Sequence, residues 1–334
     1  MGDTLEDAPD SQALENETPP NTIFLAPSIT KPLVLSGASY THHSPIPSNV
    51  RADLSTPCVL GVDEAGRGPV LGPMVYALLY LPLALHRSLL AETHHFDDSK
   101  VLTPAVRSEL MEKICTPETD LFENCGWATR VMSARDISAA QLRPTAPYNL
   151  NAQAMDATVD LIRGVLEQGV NVEEVYIDTI GPPDAYQKRL EKIFPNLRIT
   201  VAKKADSLYP CVSAASVCAK VTRDAALDVL WESYDESGGE VAWGSGYPSD
   251  ARCTAWMRAN MDPLFGWGSE CRFSWGTAKE MLEVKGGGPK AEWPDVGEGE
   301  AGNMRLTGFM MGGKEEEGDE LGNWFGSRVG AEVF

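Results

Sequence analysis

Apolar and polar positions follow different rhythms in different parts of this chain, and each change of rhythm marks an element. Val59, Leu60 and Val62 form a short apolar run that reads as a buried strand, ending on Asp63 and Glu64. Met74 to Leu81 reads as a second strand after a tight connection, and Trp127 to Met132 as a third. Between them, Thr103 sits as an N-cap ahead of Pro104, with Val106, Leu110 and Ile114 as a helical stripe. Leu150, Ala154, Ala157, Leu161 and Val165 recur at spacings of three and four, which predicts an amphipathic helix to Gln168, ended by Gly169. Val172 to Ile177 is a fourth strand that delivers Asp178 at its carboxyl end. Gly181-Pro182-Pro183 then breaks the chain before a helix carrying Lys188, Leu190, Lys192 and Ile193, and Arg198 to Ala202 is a fifth strand. From about Pro210 to Tyr234 runs a long helix whose alanines, among them Ala214, Ala215, Ala219 and Ala226, predict close packing on a sheet.

Three strands followed by helix–strand–helix–strand–helix predict an α/β fold: a mixed five-stranded sheet flanked by helices. Residues 56–236 hold this pattern. Residues 1–55 are rich in Pro, Ser, Thr and acid and read as a disordered acidic arm. Residues 237–283, beyond Ser237-Gly238-Gly239, read as a small C-terminal helical subdomain. Residues 284–334 hold 13 glycines in 51 positions, too many for a core of their own. The apolar patch in that tail, Met304 to Met311, and Trp324-Phe325 suit a partner-docking segment.

Charge and cysteines narrow the class. A net charge of −20 argues against nucleic acid if taken whole, but residues 185–223 hold eight Lys and Arg against Glu191 and Asp206. A phosphate backbone needs such a local surface rather than a basic average. The seven cysteines form no Cys-x-x-Cys pair, and Cys58, Cys211 and Cys218 lie in apolar or small-residue runs, as buried free thiols do. The longest apolar run, Met74 to Leu85, is interrupted by Pro82 and too short to span a bilayer, so no membrane role is expected. The acidic start fits neither a secretory signal nor a mitochondrial transit peptide.

The candidate chemistry lies in Gly61-Val62-Asp63-Glu64-Ala65-Gly66-Arg67-Gly68-Pro69. Adjacent carboxylates at a buried strand end repel unless something positive sits on them, and Mg²⁺ takes one or two carboxylates plus substrate phosphate oxygens. In a continuing strand the two would face opposite ways, so a turn must begin between them for both to reach one site. The glycines give G-x-G-x-x-x-G with Pro69 inside, which fails the dinucleotide fingerprint, and no P-loop occurs.

This stretch resembles the first motif of the type 2 ribonuclease H family, most closely its eukaryotic catalytic (A) subunit. The resemblance resumes at Asp98-Ser99-Lys100, Tyr176-Ile177-Asp178-Thr179, Lys204 to Pro210, Ala219-Lys220, Gly244 to Asp250 and Arg272-Phe273-Ser274-Trp275, covering about residues 56 to 283. It implies a ribonuclease H-like fold and an endonuclease that cuts the RNA strand of RNA–DNA hybrids and incises 5′ of single ribonucleotides in duplex DNA. It further implies Asp63, Glu64, Asp178 and Asp206 as the catalytic ligands of two Mg²⁺ ions (Mn²⁺ as the alternative), with no general-base histidine. By the same resemblance Gly66, Arg67 and Gly68 read the ribose 2′-hydroxyl, and Tyr247 packs on the sugar after the ribonucleotide. Lys100, Lys204, Lys220 and Arg223 are placed as phosphate contacts. Two smaller non-catalytic subunits, completing a heterotrimer, and a nuclear location complete the implied picture. A scaffold that had lost catalysis would lack one of the four acids, and none is missing; another metal-dependent nuclease of the same fold would not need the Gly-Arg-Gly turn.

Overall fold

Six strands build the sheet, one more than the sequence pattern predicts. The computed structural model describes residues 24–96, 102–144, 146–179, 181–234 and 243–285. The strands are β1 (Tyr40–His43), β2 (Cys58–Ala65), β3 (Met74–Pro82), β4 (Gly126–Met132), β5 (Val172–Asp178) and β6 (Arg198–Ala202). Their order across the sheet is β1-β4-β3-β2-β5-β6. β1 to β4, β4 to β3 and β3 to β2 are antiparallel, whereas β2 to β5 and β5 to β6 are parallel. The mixed, helix-flanked sheet is the fold class expected.

The added strand comes from the segment expected to be a disordered arm, and that expectation fails over residues 24–53. Here α1 (Lys31–Leu35), β1 and α2 (Ser48–Ala52) form in succession. Tyr40 is buried with its hydroxyl donating to the Ser28 carbonyl at 2.9 Å, and Val34 and Val50 are buried with it. Ser28 in turn shares a 2.9 Å hydroxyl–hydroxyl bond with Thr222, far along the chain. Short elements held by such distant contacts leave no periodic trace, because tertiary packing fixes them rather than local pattern.

Both faces of the sheet are covered. Thr103 caps α3 (Pro104–Cys115) as expected, accepting from the Val106 amide. α4 (Asp120–Asn124) and α5 (Ala134–Gln141) flank β4, and α6 (Leu150–Glu167) is capped by Asn149. α7 (Pro183–Ile193) connects β5 to β6, and α8 (Pro210–Glu232) is the long alanine-rich helix. Along β2 the side chains alternate: Val59 joins the core under α8 and α3, while Leu60 and Val62 join the core under α6 and α7. Gly61 lets α8 lie directly on the strand, since a Cβ there would collide with the backbone of Cys211 and Val212. All seven cysteines are free, with Cys58, Cys211 and Cys218 fully buried.

The C-terminal segment does not form a separate core. α9 (Ala251–Ala259) and α10 (Gly276–Lys285) follow the loop at Trp243, and Trp243, Cys253, Trp256, Met257, Trp267 and Cys271 share the core with α8. The Gly-rich tail beyond α10 lies outside the described residues. Among the described residues no helix is long and apolar enough to cross a membrane.

Candidate active site

The parallel strands β2 and β5 end side by side, where functional groups of an open α/β sheet collect. Asp63 lies near the end of β2 and is buried at 5% exposure, under α8, where Ser216 hydrogen-bonds its carboxyl. Asp178 ends β5 and accepts the Ala205 amide at 2.8 Å. Asp206, next to Ala205, sits in the 3-10 turn Ala205–Ser207 and is buried. Left-handed Lys204 (φ 56°) tips the chain into that turn.

No turn separates Asp63 from Glu64. The ladder continues, pairing Asp63 with Ala77, Glu64 with Tyr76 and Ala65 with Val75. Glu64 therefore leaves on the α6 side of the sheet, where it keeps part of its surface open, while Asp63 leaves on the α8 side. The strand end is still narrow enough for one electrostatic neighbourhood. Burial pushes the Asp63 carboxyl well up, and the charges of Asp178 and Asp206 push it further. Burial also raises Glu64, as do Asp63, Asp178 and Asp206, with Arg67 opposing. Asp63 and Glu64 are thus within electrostatic reach of Asp178 and Asp206, although among the described residues no three His, Cys, Asp or Glu side chains stand close enough together to hold a metal ion.

Beside the acids the Gly66-Arg67-Gly68 turn is held on several sides. Gly66 has φ 77°, and a Cβ there would run into the Arg223 side chain and within 2.7 Å of the Pro73 carbonyl. Arg272, fully buried, donates to the carbonyls of Gly66 at 2.6 Å, Arg67 at 2.9 Å and Gly72 at 3.0 Å. Trp275 donates its indole N–H to the Gly68 carbonyl at 2.9 Å and lies under the Arg272 guanidinium, 4.7 Å from ring centroid to Cζ. Tyr247 is 39% exposed, and its ring edge passes 3.1 Å from where a Gly68 Cβ would stand. The motif containing Arg272 and Trp275 suggests no task for either residue by itself; only contact with a turn some 200 positions earlier reveals it.

The expected phosphate contacts divide. Lys204 is exposed beside the acids. Lys220 is half-buried on α8, where burial raises the Asp224 carboxyl and the charges of Arg223, Arg107 and Lys220 oppose the rise. Arg223 is 6% exposed, donates to the Ser245 carbonyl at 3.1 Å and stands 6.0 Å from the Tyr247 ring centroid, so it props the turn and the tyrosine loop from beneath. Lys100 lies outside the described residues.

Residues 60–278 match the Ribonuclease HII family. The chain belongs to that family. It is 58% identical over 316 residues, 93% of this chain and 97% of the relative, to the ribonuclease H2 A subunit of Neurospora crassa. Against the ribonuclease H2 A subunit of Homo sapiens it is 43% identical over 270 residues, 80% of this chain and 86% of the relative. The ribonuclease H2 crystal structure from Pyrococcus horikoshii superposes with a TM-score of 0.53 at 27% identity, covering 68% of this chain and 97% of that one. This ribonuclease HII family chain is accordingly a ribonuclease H enzyme.

Proposed function

We propose that the enzyme hydrolyses the RNA strand of RNA–DNA hybrids and also incises 5′ of a single ribonucleotide in duplex DNA, leaving 5′-phosphate and 3′-hydroxyl ends. The observation that carries this reading is the junction of two structures at one strand end: four crowded carboxylates, and a braced Gly-Arg-Gly turn with Tyr247 against it.

The acids suit divalent cations. The charged forms of Asp63 and Glu64 are penalised by burial and by the neighbouring acids, and an ion of opposite charge relieves both penalties. Asp63, Glu64, Asp178 and Asp206 would hold two Mg²⁺ ions, or Mn²⁺, with substrate phosphate oxygens completing the coordination. Once bound, the ions supply an activated water and neutralise charge at the leaving 3′ oxygen. The chain's own residues do the rest. Backbone groups of Gly66 and Gly68 meet the 2′-hydroxyl, which both donates and accepts and so marks ribose. Tyr247 offers its ring to the next sugar, Arg67 and Lys204 meet phosphates, and Arg223 and Arg272 keep the turn in place.

The Neurospora crassa and Homo sapiens relatives each bear the name of one subunit of ribonuclease H2, which supports assembly with further chains. Two smaller non-catalytic subunits and a nuclear site of action belong to the same proposal, with the tail beyond α10 as the docking segment. Truncation after residue 285 then weakens co-purification with those subunits while cleavage chemistry survives; undiminished co-purification removes the docking role.

Cleavage of a duplex with one ribonucleotide, beside an all-DNA control and a long hybrid, tests the main claim. Incision on the 5′ side of the ribonucleotide in Mg²⁺, none in the control and none in Ca²⁺ is expected. Near-normal turnover by Asp63→Asn or Asp178→Asn would rule out the ligand assignment.

A further inference from the structure

Arg272 holds the backbone of Arg67, and a second set of residues fixes its side chain. Its Nη2 donates to Oδ1 of Asn151, in the first turn of α6. It also hydrogen-bonds Tyr76, which is buried and stands directly across the β2–β3 ladder from Glu64. Tyr186 of α7 closes the group, within electrostatic reach of both Glu64 and Arg67, and its hydroxyl is bonded to Thr158 of α6 at 3.0 Å. The guanidinium is therefore set between a carboxylate of the acid cluster and the start of α6, which also holds Tyr186 through Thr158.

The chemical type at position 151 is informative. An arginine on a glycine-flanked turn loses about 2 kcal/mol of rotamer freedom when a substrate fixes it, unless the protein has fixed it beforehand. A carboxylate at 151 would fix it too, but would neutralise the charge that a phosphate is to meet. The Asn151 amide oxygen orients the guanidinium and leaves its charge available.

We propose that Asn151 is a positioning residue for Arg67, a neutral acceptor that presents the guanidinium beside Glu64, pre-set and with its charge uncompensated by its holder, to a phosphate of the ribonucleotide-bearing strand. This rests on the reading above that Arg67 contacts substrate. Asn151 is thus a determinant of substrate affinity acting through Arg67, with Tyr76 as the second brace.

A double-mutant cycle on hybrid cleavage tests it, with Asn151→Ala, Arg67→Ala, the pair together and Asn151→Asp, and with melting temperatures confirming that each variant folds. Asn151→Ala is expected to lose about tenfold in kcat/KM, mostly through KM, and Arg67→Ala more. The double variant should be no worse than Arg67→Ala alone, within about twofold, because the asparagine has nothing left to position. Asn151→Asp should melt no lower than the wild type yet bind hybrid more weakly, since its carboxylate takes up the charge. Losses that multiply in the double variant, or wild-type kinetics in Asn151→Ala, overturn the positioning role; wild-type affinity in Asn151→Asp overturns the argument from neutrality. Wild-type kinetics in Arg67→Ala would instead remove Arg67 from substrate contact, and the positioning role with it.

Discussion

The Gly66–Gly68 turn and the carboxylate cluster stand at the same end of β2 and are built on opposite terms. The turn is satisfied by the protein: Arg272 and Trp275 take its carbonyls, Asn151 and Tyr76 take the Arg67 side chain, and Arg223 fills the space under Gly66. The acids are crowded: Asp63 and Glu64 are both driven toward their protonated forms by burial and by neighbouring acids. On the proposed reading the recognition element is complete before substrate arrives, while the chemical element carries a penalty that a bound cation would relieve. Stability should respond in opposite senses to mutation in the two places, while activity falls in both.

The largest effect is expected at Asp63. Asp63→Asn should lower cleavage by about 10³-fold or more, since on the proposed assignment a ligand of the reaction's ions would be lost. In chelator at neutral pH the same variant should melt above the wild type, because a buried, repelled charge has gone. The pH dependence has a definite sign. Both carboxyls have folded pKa values above their unfolded ones, so the folded chain holds extra protons above the ordinary carboxylate range of about 4. Metal-free wild type should therefore lose stability as pH rises from there through the raised values, and Asp63→Asn should lose less of it. Calorimetry across pH in chelator checks both statements; a variant less stable than wild type at every pH contradicts them.

At Arg272 the sense reverses. Arg272→Met leaves three carbonyls at the turn without their donor, at a cost of about 3–5 kcal/mol in folding, and should lower cleavage as well. Denaturant titration beside hybrid-cleavage kinetics measures both losses; a variant of undiminished stability shows that the turn is held by other means. Removing residues 1–53 comes next. Tyr40, Val34 and Val50 are buried there, each worth about 1.5–3 kcal/mol, so the melting temperature should fall even though no residue of the acid cluster is touched.

Tyr247 gives the smallest effect and the sharpest contrast. Tyr247→Ala should lower kcat/KM on the single-ribonucleotide duplex about tenfold more than on a long hybrid, where several registers satisfy the turn. Tyr247→Phe keeps the ring and should stay active. Equal losses on both substrates would make Tyr247 a general support of the Gly68 turn.

These contrasts also show how much is legible in the sequence. β2, β3, β5, β6, α3, α6 and α8 announce themselves through long apolar runs, capping residues and strict spacing, and the four acids fall at their ends. β1 carries the sequence Tyr-Thr-His-His and has no alternation to detect; it exists because Tyr40 finds Ser28 and the backbone finds β4. The site is legible in its acids and its glycines because local chemistry betrays them. Its braces are not: Arg272, Trp275, Ser216 and Asn151 act through contacts far apart in sequence, and Arg223, read as a phosphate contact, is placed by the fold beneath the turn. The strand pattern also demands a turn between Asp63 and Glu64 that the fold does not make, since the narrowness of the strand end brings both into one field without it.

The most direct measurement is the ratio of dissociation constants for an RNA–DNA hybrid and the matching all-DNA duplex, determined with Asp63→Asn in chelator and compared with the wild type under the same conditions. If the turn recognises ribose independently of the acids, the ratio stays within about twofold of the wild-type value although cleavage is gone. A ratio that falls to one would mean that the carboxylates carry the discrimination, and that the turn is only their frame.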